Sequence, residues 1–176
     1  PSLYPEVALV DPELTLSLPT AETIHGGLDA ISQALEAIWN RNANPVSDVL
    51  ALEAIELAYR SLPVLQTRPG NATSRADMLR ASLVSGLAFS NTRTALAHSI
   101  SYPLTARHGL PHGLACALPL PHLLRLYLRQ LSEIGVSRPD LPFGPEDLAD
   151  FIEALGVSLS LRDHGVPDSD LDVLVS

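Results

Sequence analysis

Gly27-Leu-Asp29-Ala-Ile-Ser-Gln33-Ala-Leu-Glu36-Ala-Ile-Trp39 is the stretch whose reading decides the fold. Leu28, Ile31, Ala34, Leu35, Ile38 and Trp39 recur at intervals of three and four, the spacing that lines one face of a helix packed on a core. Working outward, residues 40–45 stop this helix, and residues 46–62 predict a second with Ser47 at its N-cap and Val49, Leu50, Leu52, Ile55, Leu57 and Ala58 as its apolar positions. Pro63 is expected to end it. A third helix follows over residues 75–90, where Ala81, Ser82, Ser85, Gly86 and Ala88 are small enough to admit a close neighbour. Residues 92–101 read as a short apolar helix carrying His98. A loop broken by prolines and glycines runs from there to Leu110. Pro111 then occupies a first helical position, where its missing N–H costs nothing. His112 would lie in the first turn of a helix reaching Leu128, interrupted around Pro119 and Pro121. Residues 135–145 read as a linker, residues 145–155 as a last amphipathic helix, and residues 163–176 as a turn into another helix that is cut short. No repeat and no period-two alternation is present, so the fold class expected is all-α, a helical bundle. Backward from Gly27, residues 1–20 are rich in proline and read as a connector entering the helical domain over 21–176.

The totals bound the function. A chain of 176 residues with 46% hydrophobic residues and a positive mean hydropathy of +0.18 fits one compact domain. Its apolar runs are broken well before the ~18 residues that a membrane span needs. The net charge of -9 argues against a nucleic-acid partner, which requires clustered Lys and Arg. The single cysteine, Cys116, excludes an internal disulfide and suits a reducing, cytoplasmic setting; the residue reads as a small core side chain. The start at Pro1 carries no signal-peptide pattern and reads as that of a fragment or a processed chain.

Imidazoles stand at both ends of residues 98–113, and neutral imidazole is a frequent ligand of transition metals. Asp29 and Gln33 lie four apart on one helix face, beside the apolar stripe. A carboxylate there is costly unless paired or bound to a cation. With His98 and His112 they make an O/O/N/N set from separate helices, suited to Fe(II), Zn(II), Mn(II) or Co(II), with the Gln33 amide oxygen as the weakest donor. The same residues read more plainly as a dipole-favoured aspartate and hydrogen-bonded core histidines. By spacing alone His25, His108, His122 and His164 are surface or structural.

The segments Gly27-Leu-Asp29-Ala-Ile-Ser-Gln33-Ala-Leu-Glu36, Asp48-Val-Leu-Ala-Leu-Glu53, Met78-Leu-Arg-Ala-Ser82, Gly86-Leu-Ala-Phe89-Ser-Asn91 and His98 through Pro111-His112-Gly113 resemble the iron-containing (group III) alcohol dehydrogenase family, over roughly residues 5–135. The resemblance implies the family's C-terminal, all-helical metal-binding domain, without the α/β nucleotide domain that precedes it there. It implies that Asp29, His98 and His112 are metal ligands, that the cation is Fe2+ or alternatively Zn2+, and that NAD(P)H is held by the domain absent here. The fourth family ligand is usually a histidine four residues after the aspartate, where this chain has Gln33. A further family histidine linked to proton transfer corresponds to Tyr102, a far weaker acid.

Trp39-Asn-Arg-Asn-Ala-Asn and Ile100-Ser-Tyr102-Pro-Leu-Thr are similar to the phosphonoacetaldehyde reductase branch. On that resemblance Arg93, Thr94 and Arg107 are candidates to meet a phosphonate, since guanidinium suits a dianionic oxygen cluster. The expected reaction is reduction of a small aldehyde to a primary alcohol, with Tyr102, His108 or water returning the proton, possible homo-oligomers, and no membrane partner. Against it stand a helical fragment with no catalysis of its own, and a homologue that has lost its metal through Gln33 and serves as a structural subunit.

Overall fold

A computed structural model describes residues 5–135 and 141–170. Within them the chain forms α1 (Thr20–Ile38), α2 (Pro45–Thr67), α3 (Ala72–Asn91), α4 (Leu96–His108), α5 (His112–Ala117), α6 (Leu120–Ile134) and α7 (Pro145–Ala154), with short 3-10 turns at Pro12–Thr15, Leu161–His164 and Asp168–Asp170. The described residues contain no strand, and the all-α expectation holds. None of their helices is long and apolar enough to cross a membrane.

The periodic stretch that opens the sequence reading is the centre of the bundle. Leu28, Ile31, Ala34, Leu35, Ala37 and Ile38 are fully buried, and so are Ser32 and Glu36 on the other faces. A helix covered all round must have neighbours on every side, and α1 packs against α2, α3, α4 and α5. It begins at Thr20, earlier than the apolar stripe alone predicts, because a polar first turn with Glu22 favouring the helix dipole precedes the buried residues.

Prolines misled the reading of two helices. In α2, Asn44 and not Ser47 is the N-cap, its side chain accepting from Val46 N at 3.1 Å and Ser47 N at 3.2 Å while Ser47 Oγ accepts from Asn44 N at 3.0 Å. The helix then runs through Pro63 to Thr67. An interior proline costs ~3 kcal/mol, and the fully buried Leu62 and Leu65 on either side of it offset that cost. Pro103 likewise lies inside α4, where the expected loop is instead a helix closed by Gly109 at φ 69°. The backbone bond it forfeits is to the carbonyl of the exposed Ser99, which water can satisfy.

In α3, Ala81, Ser85 and Ala88 face the bundle, whereas Ser82 is exposed and nothing lies near Gly86. The close approaches are elsewhere. A side chain at Gly27 would meet Leu62, and one at Gly113 would collide with the carbonyl of His25. The break expected near Pro119 separates α5 from α6, and α7 matches its expected span. The expected linker and the final turn fall partly on residues 136–140 and 171–176, which lie outside the described residues.

Before α1 the chain is tied down by a buried cation. Arg75 on α3, 2% exposed, donates to Leu18 O at 2.9 Å, Pro69 O at 2.7 Å and Thr23 Oγ1 at 2.7 Å. All three are neutral oxygens.

Candidate metal centre

Three helices converge where α1 meets the starts of α4 and α5. On α1, Asp29, Gln33 and Glu36 occupy positions i, i+4 and i+7 and so share a face. His98 stands in the first turn of α4, His112 opens α5, and Cys116 follows one turn later on the same side. His98 Nε2 lies 3.5 Å from Asp29 Oδ1, and His112 Nε2 lies 3.7 Å from the same oxygen. Cys116 Sγ is 3.6 Å from His112 Nε2. The donor atoms of Asp29, His98, His112 and Cys116 all fall within 4.8 Å of one another.

Glu36 builds one wall of this cluster. Its carboxylate is fully buried and accepts from Ala95 N at 2.8 Å, Ala97 N at 2.6 Å and His98 N at 3.4 Å, so it caps the start of α4 from another helix. It also pairs with His98 Nδ1 at 2.6 Å. With Nδ1 held there, Nε2 is the nitrogen that faces the cluster. Burial by itself would lower the pKa of His98. The neighbouring acceptors Asp29, Cys116 and Glu36 outweigh it and push the value up to about 12.

Asp29 divides its oxygens between two duties. Oδ2 accepts from Gln33 Nε2 at 2.9 Å, while the buried Oδ1 has no hydrogen-bond partner. A buried carboxylate oxygen left without a donor, with two imidazole nitrogens aimed at it, fits a bound cation. Gln33 is therefore beside the site by its nitrogen and not, as expected, by its amide oxygen, which lies 3.1 Å from Ser85 Oγ. Gly113 lets the backbone of α5 touch that of α1, since even a methyl group there would strike His25. Ser101 Oγ donates to His98 O at 2.7 Å and sits 3.4 Å from His112 Nδ1.

The other expected site residues are more scattered. Tyr102 is at the mouth, 59% exposed, its ring stacked on that of His112 at 6.4 Å. Arg93, exposed, and Thr94, half-buried, lie in the turn before α4, which Asn40 Nδ2 fixes through Arg93 O at 3.0 Å. Arg107 and His108 occupy the last turn of α4; His108 is ten residues past His98, about 15 Å along the axis at 1.5 Å per residue. It approaches Asp170 at 3.5 Å, and the structure does not bring it to the donors. Sequence reasoning missed two residues. Cys116, read as core packing, is buried but faces the imidazoles, and its only signal is the spacing of four from His112. Glu36 was quoted for its motif and given no role; its signal is a carboxylate seven residues after Asp29, two turns along the same helix face.

A family model described as Fe-containing alcohol dehydrogenase family, C-terminal, matches residues 23–138. The chain is 35% identical to long-chain-alcohol dehydrogenase 1 of Geobacillus thermodenitrificans, across 98% of this chain and 47% of that protein. It is also 35% identical to 1,3-propanediol dehydrogenase of Klebsiella pneumoniae, across 89% of this chain and 37% of the relative. Among solved structures, sulfoacetaldehyde reductase from Bifidobacterium kashiwanohense in complex with NAD+ superposes with a TM-score of 0.84 at 34% identity, covering 98% of this chain and 47% of that one. The chain spans half the length, or less, of these relatives.

Proposed function

Because the chain belongs to the Fe-containing alcohol dehydrogenase family, falling within its C-terminal domain, we propose that it is the metal-holding half of an NAD(P)H-dependent alcohol dehydrogenase that reduces small aldehydes. The observation that carries this reading is the meeting of Asp29, His98 and His112 from three helices, with Asp29 Oδ1 buried and unpartnered. These residues would hold a divalent cation, iron or zinc. A cation bound there supplies a Lewis acid to a carbonyl oxygen. Glu36 keeps His98 turned so that Nε2 faces the donors. Gln33 orients Asp29 through its amide nitrogen. Tyr102, at the exposed edge of His112, has the phenolic O–H best placed to pass a proton to an alkoxide at the mouth, better than the remote His108. In this reading residues 1–20 connect the helical domain to an α/β domain that holds the nicotinamide cofactor.

The proposed substrate is a short aldehyde carrying an anionic group, phosphonoacetaldehyde going to 2-hydroxyethylphosphonate. Support comes from the motifs around Trp39 and Tyr102 and from the likeness to a sulfoacetaldehyde reductase, whose named substrate is also a two-carbon aldehyde with an anionic end. Arg93 and Thr94, in the turn that Glu36 caps, are the first groups to test as anion contacts, and Arg107 the next.

Asp29→Ala and His112→Ala in the purified protein, with bound metal and turnover measured together, test the site. Loss of both quantities is expected; full metal content at unchanged rate in both variants would sink the assignment. For the substrate, phosphonoacetaldehyde is compared with a chain-matched aldehyde lacking the phosphonate. Equal kcat/KM removes the reason to name the arginines.

A further inference from the structure

We propose that Cys116 completes the donor set in place of Gln33, so that the cation is held by one carboxylate, two imidazoles and one thiolate, and that the site consequently favours zinc(II) or cobalt(II) over iron(II). The proposal rests on the metal-site reading above and changes its fourth donor. Three observations carry it.

The first is spacing. Bonds of about 2.0 Å to oxygen and nitrogen and about 2.3 Å to sulfur imply donor-to-donor edges of roughly 3.3–3.5 Å around a tetrahedral ion with one sulfur, close to the spacing found here. Three of the six edges are 3.5 Å from Asp29 to His98, 3.7 Å from Asp29 to His112 and 3.6 Å from His112 to Cys116, and all four donor atoms lie within 4.8 Å of one another.

The second is what Gln33 does. It stands where the family pattern carries an imidazole, but it turns its Nε2 toward Asp29 Oδ2 at 2.9 Å. An amide nitrogen has no lone pair to offer a cation. The Gln33 oxygen is engaged on the other side, accepting from Ser85 Oγ at 3.1 Å. Gln33 thus acts on the cation only through Asp29.

The third is the source of the sulfur. Cys116 is fully buried on α5, one helical turn beyond His112, so the same short helix presents both side chains to Asp29. The exchange keeps four protein donors and replaces a nitrogen by a soft sulfur. Thiolate selects zinc over iron(II) among ions of similar size, in the same direction as the general affinity order.

Cobalt(II) reads the sulfur directly. Metal-free protein is titrated with cobalt(II) under reductant, and the near-ultraviolet and visible spectra are recorded. A sulfur-to-cobalt charge-transfer band is expected in the parent and is lost in Cys116→Ser, while the visible ligand-field bands remain. In competition with a chelator, Cys116→Ser is expected to weaken zinc(II) binding about a hundredfold or more, and Gln33→Ala only about tenfold, the lower end of what loss of an outer partner costs. Ligand-field bands without the charge-transfer band in the parent would overturn the cysteine while leaving the metal site standing, as would a larger loss in Gln33→Ala than in Cys116→Ser. No cobalt binding at all in the parent removes both this proposal and the metal-site reading. The parent spectrum decides alone should Cys116→Ser fail to fold.

Discussion

Two buried charges flank opposite ends of α1, and they are used differently. Glu36, near its C-terminal end, is an anion surrounded by backbone N–H groups and an imidazole. Arg75, packed beside its first turns, is a cation surrounded by two carbonyls and a hydroxyl. Both are well supplied with partners, so burial of a charge does not by itself mark a functional site. The difference is what lies next door. Beside Glu36 stands Asp29 Oδ1, a buried acceptor with no donor, facing imidazole nitrogens. Beside Arg75 the hydrogen bonds close on themselves, and the residue fastens the segment before α1 to α3.

The comparison is broken most severely by Glu36→Ala. It strips the acceptor from Ala95 N, Ala97 N and His98 Nδ1 together, and removal of one partner of a buried ionic pair costs about 4 kcal/mol. Thermal denaturation should show a large fall in Tm, and metal affinity should fall with it because His98 loses its orientation. Arg75→Met should be the milder lesion. Loss of a charged donor to neutral acceptors costs about 2 kcal/mol, and about 4–8 °C in Tm for a chain of this size. Zinc affinity should not change. Equal losses of metal affinity in the two variants would erase the distinction drawn between them.

A third pair sets the baseline for charges in water. Arg125 on α6 donates to Glu146 on α7 at 2.8 Å with both side chains more than half exposed. That hydrogen bond holds the Glu146 carboxyl below its ordinary value of 4.5. A depressed carboxylate contributes stability above its unfolded value and loses it as the pH falls through its folded one. Glu146→Gln should therefore lower Tm slightly at neutral pH, and the two proteins should converge below pH 4.5. A difference that persists in strong acid would mean that the carboxylate's charge is not what matters there.

How far the sequence reached depends on whether a residue's partner is local. The period of Leu28, Ile31, Leu35 and Ile38 is local, and it placed α1 and its apolar faces. Pro63 and Pro103 are local signals too, but they pointed the wrong way, because burial of Leu62, Leu65 and Leu104 lies in contacts with other helices. His98 and His112 stood out as imidazoles flanking one segment, helical spacing set Asp29 and Gln33 beside them as oxygen donors, and the resemblance singled out Asp29, His98 and His112 as ligands. Nothing in the chain around Glu36 announces that the start of α4 lies against it. Cys116 reads as a hydrophobe wherever its surroundings are unknown, and only the fold shows what faces its sulfur.

Gly113 has a mechanical consequence. Backbone meets backbone at that residue, so the separation of α5 from α1 is fixed there by two main chains and not by side chains that substitution could resize. His112 is the adjacent residue, so the contact that seats the helix also sets the reach of its imidazole to Asp29.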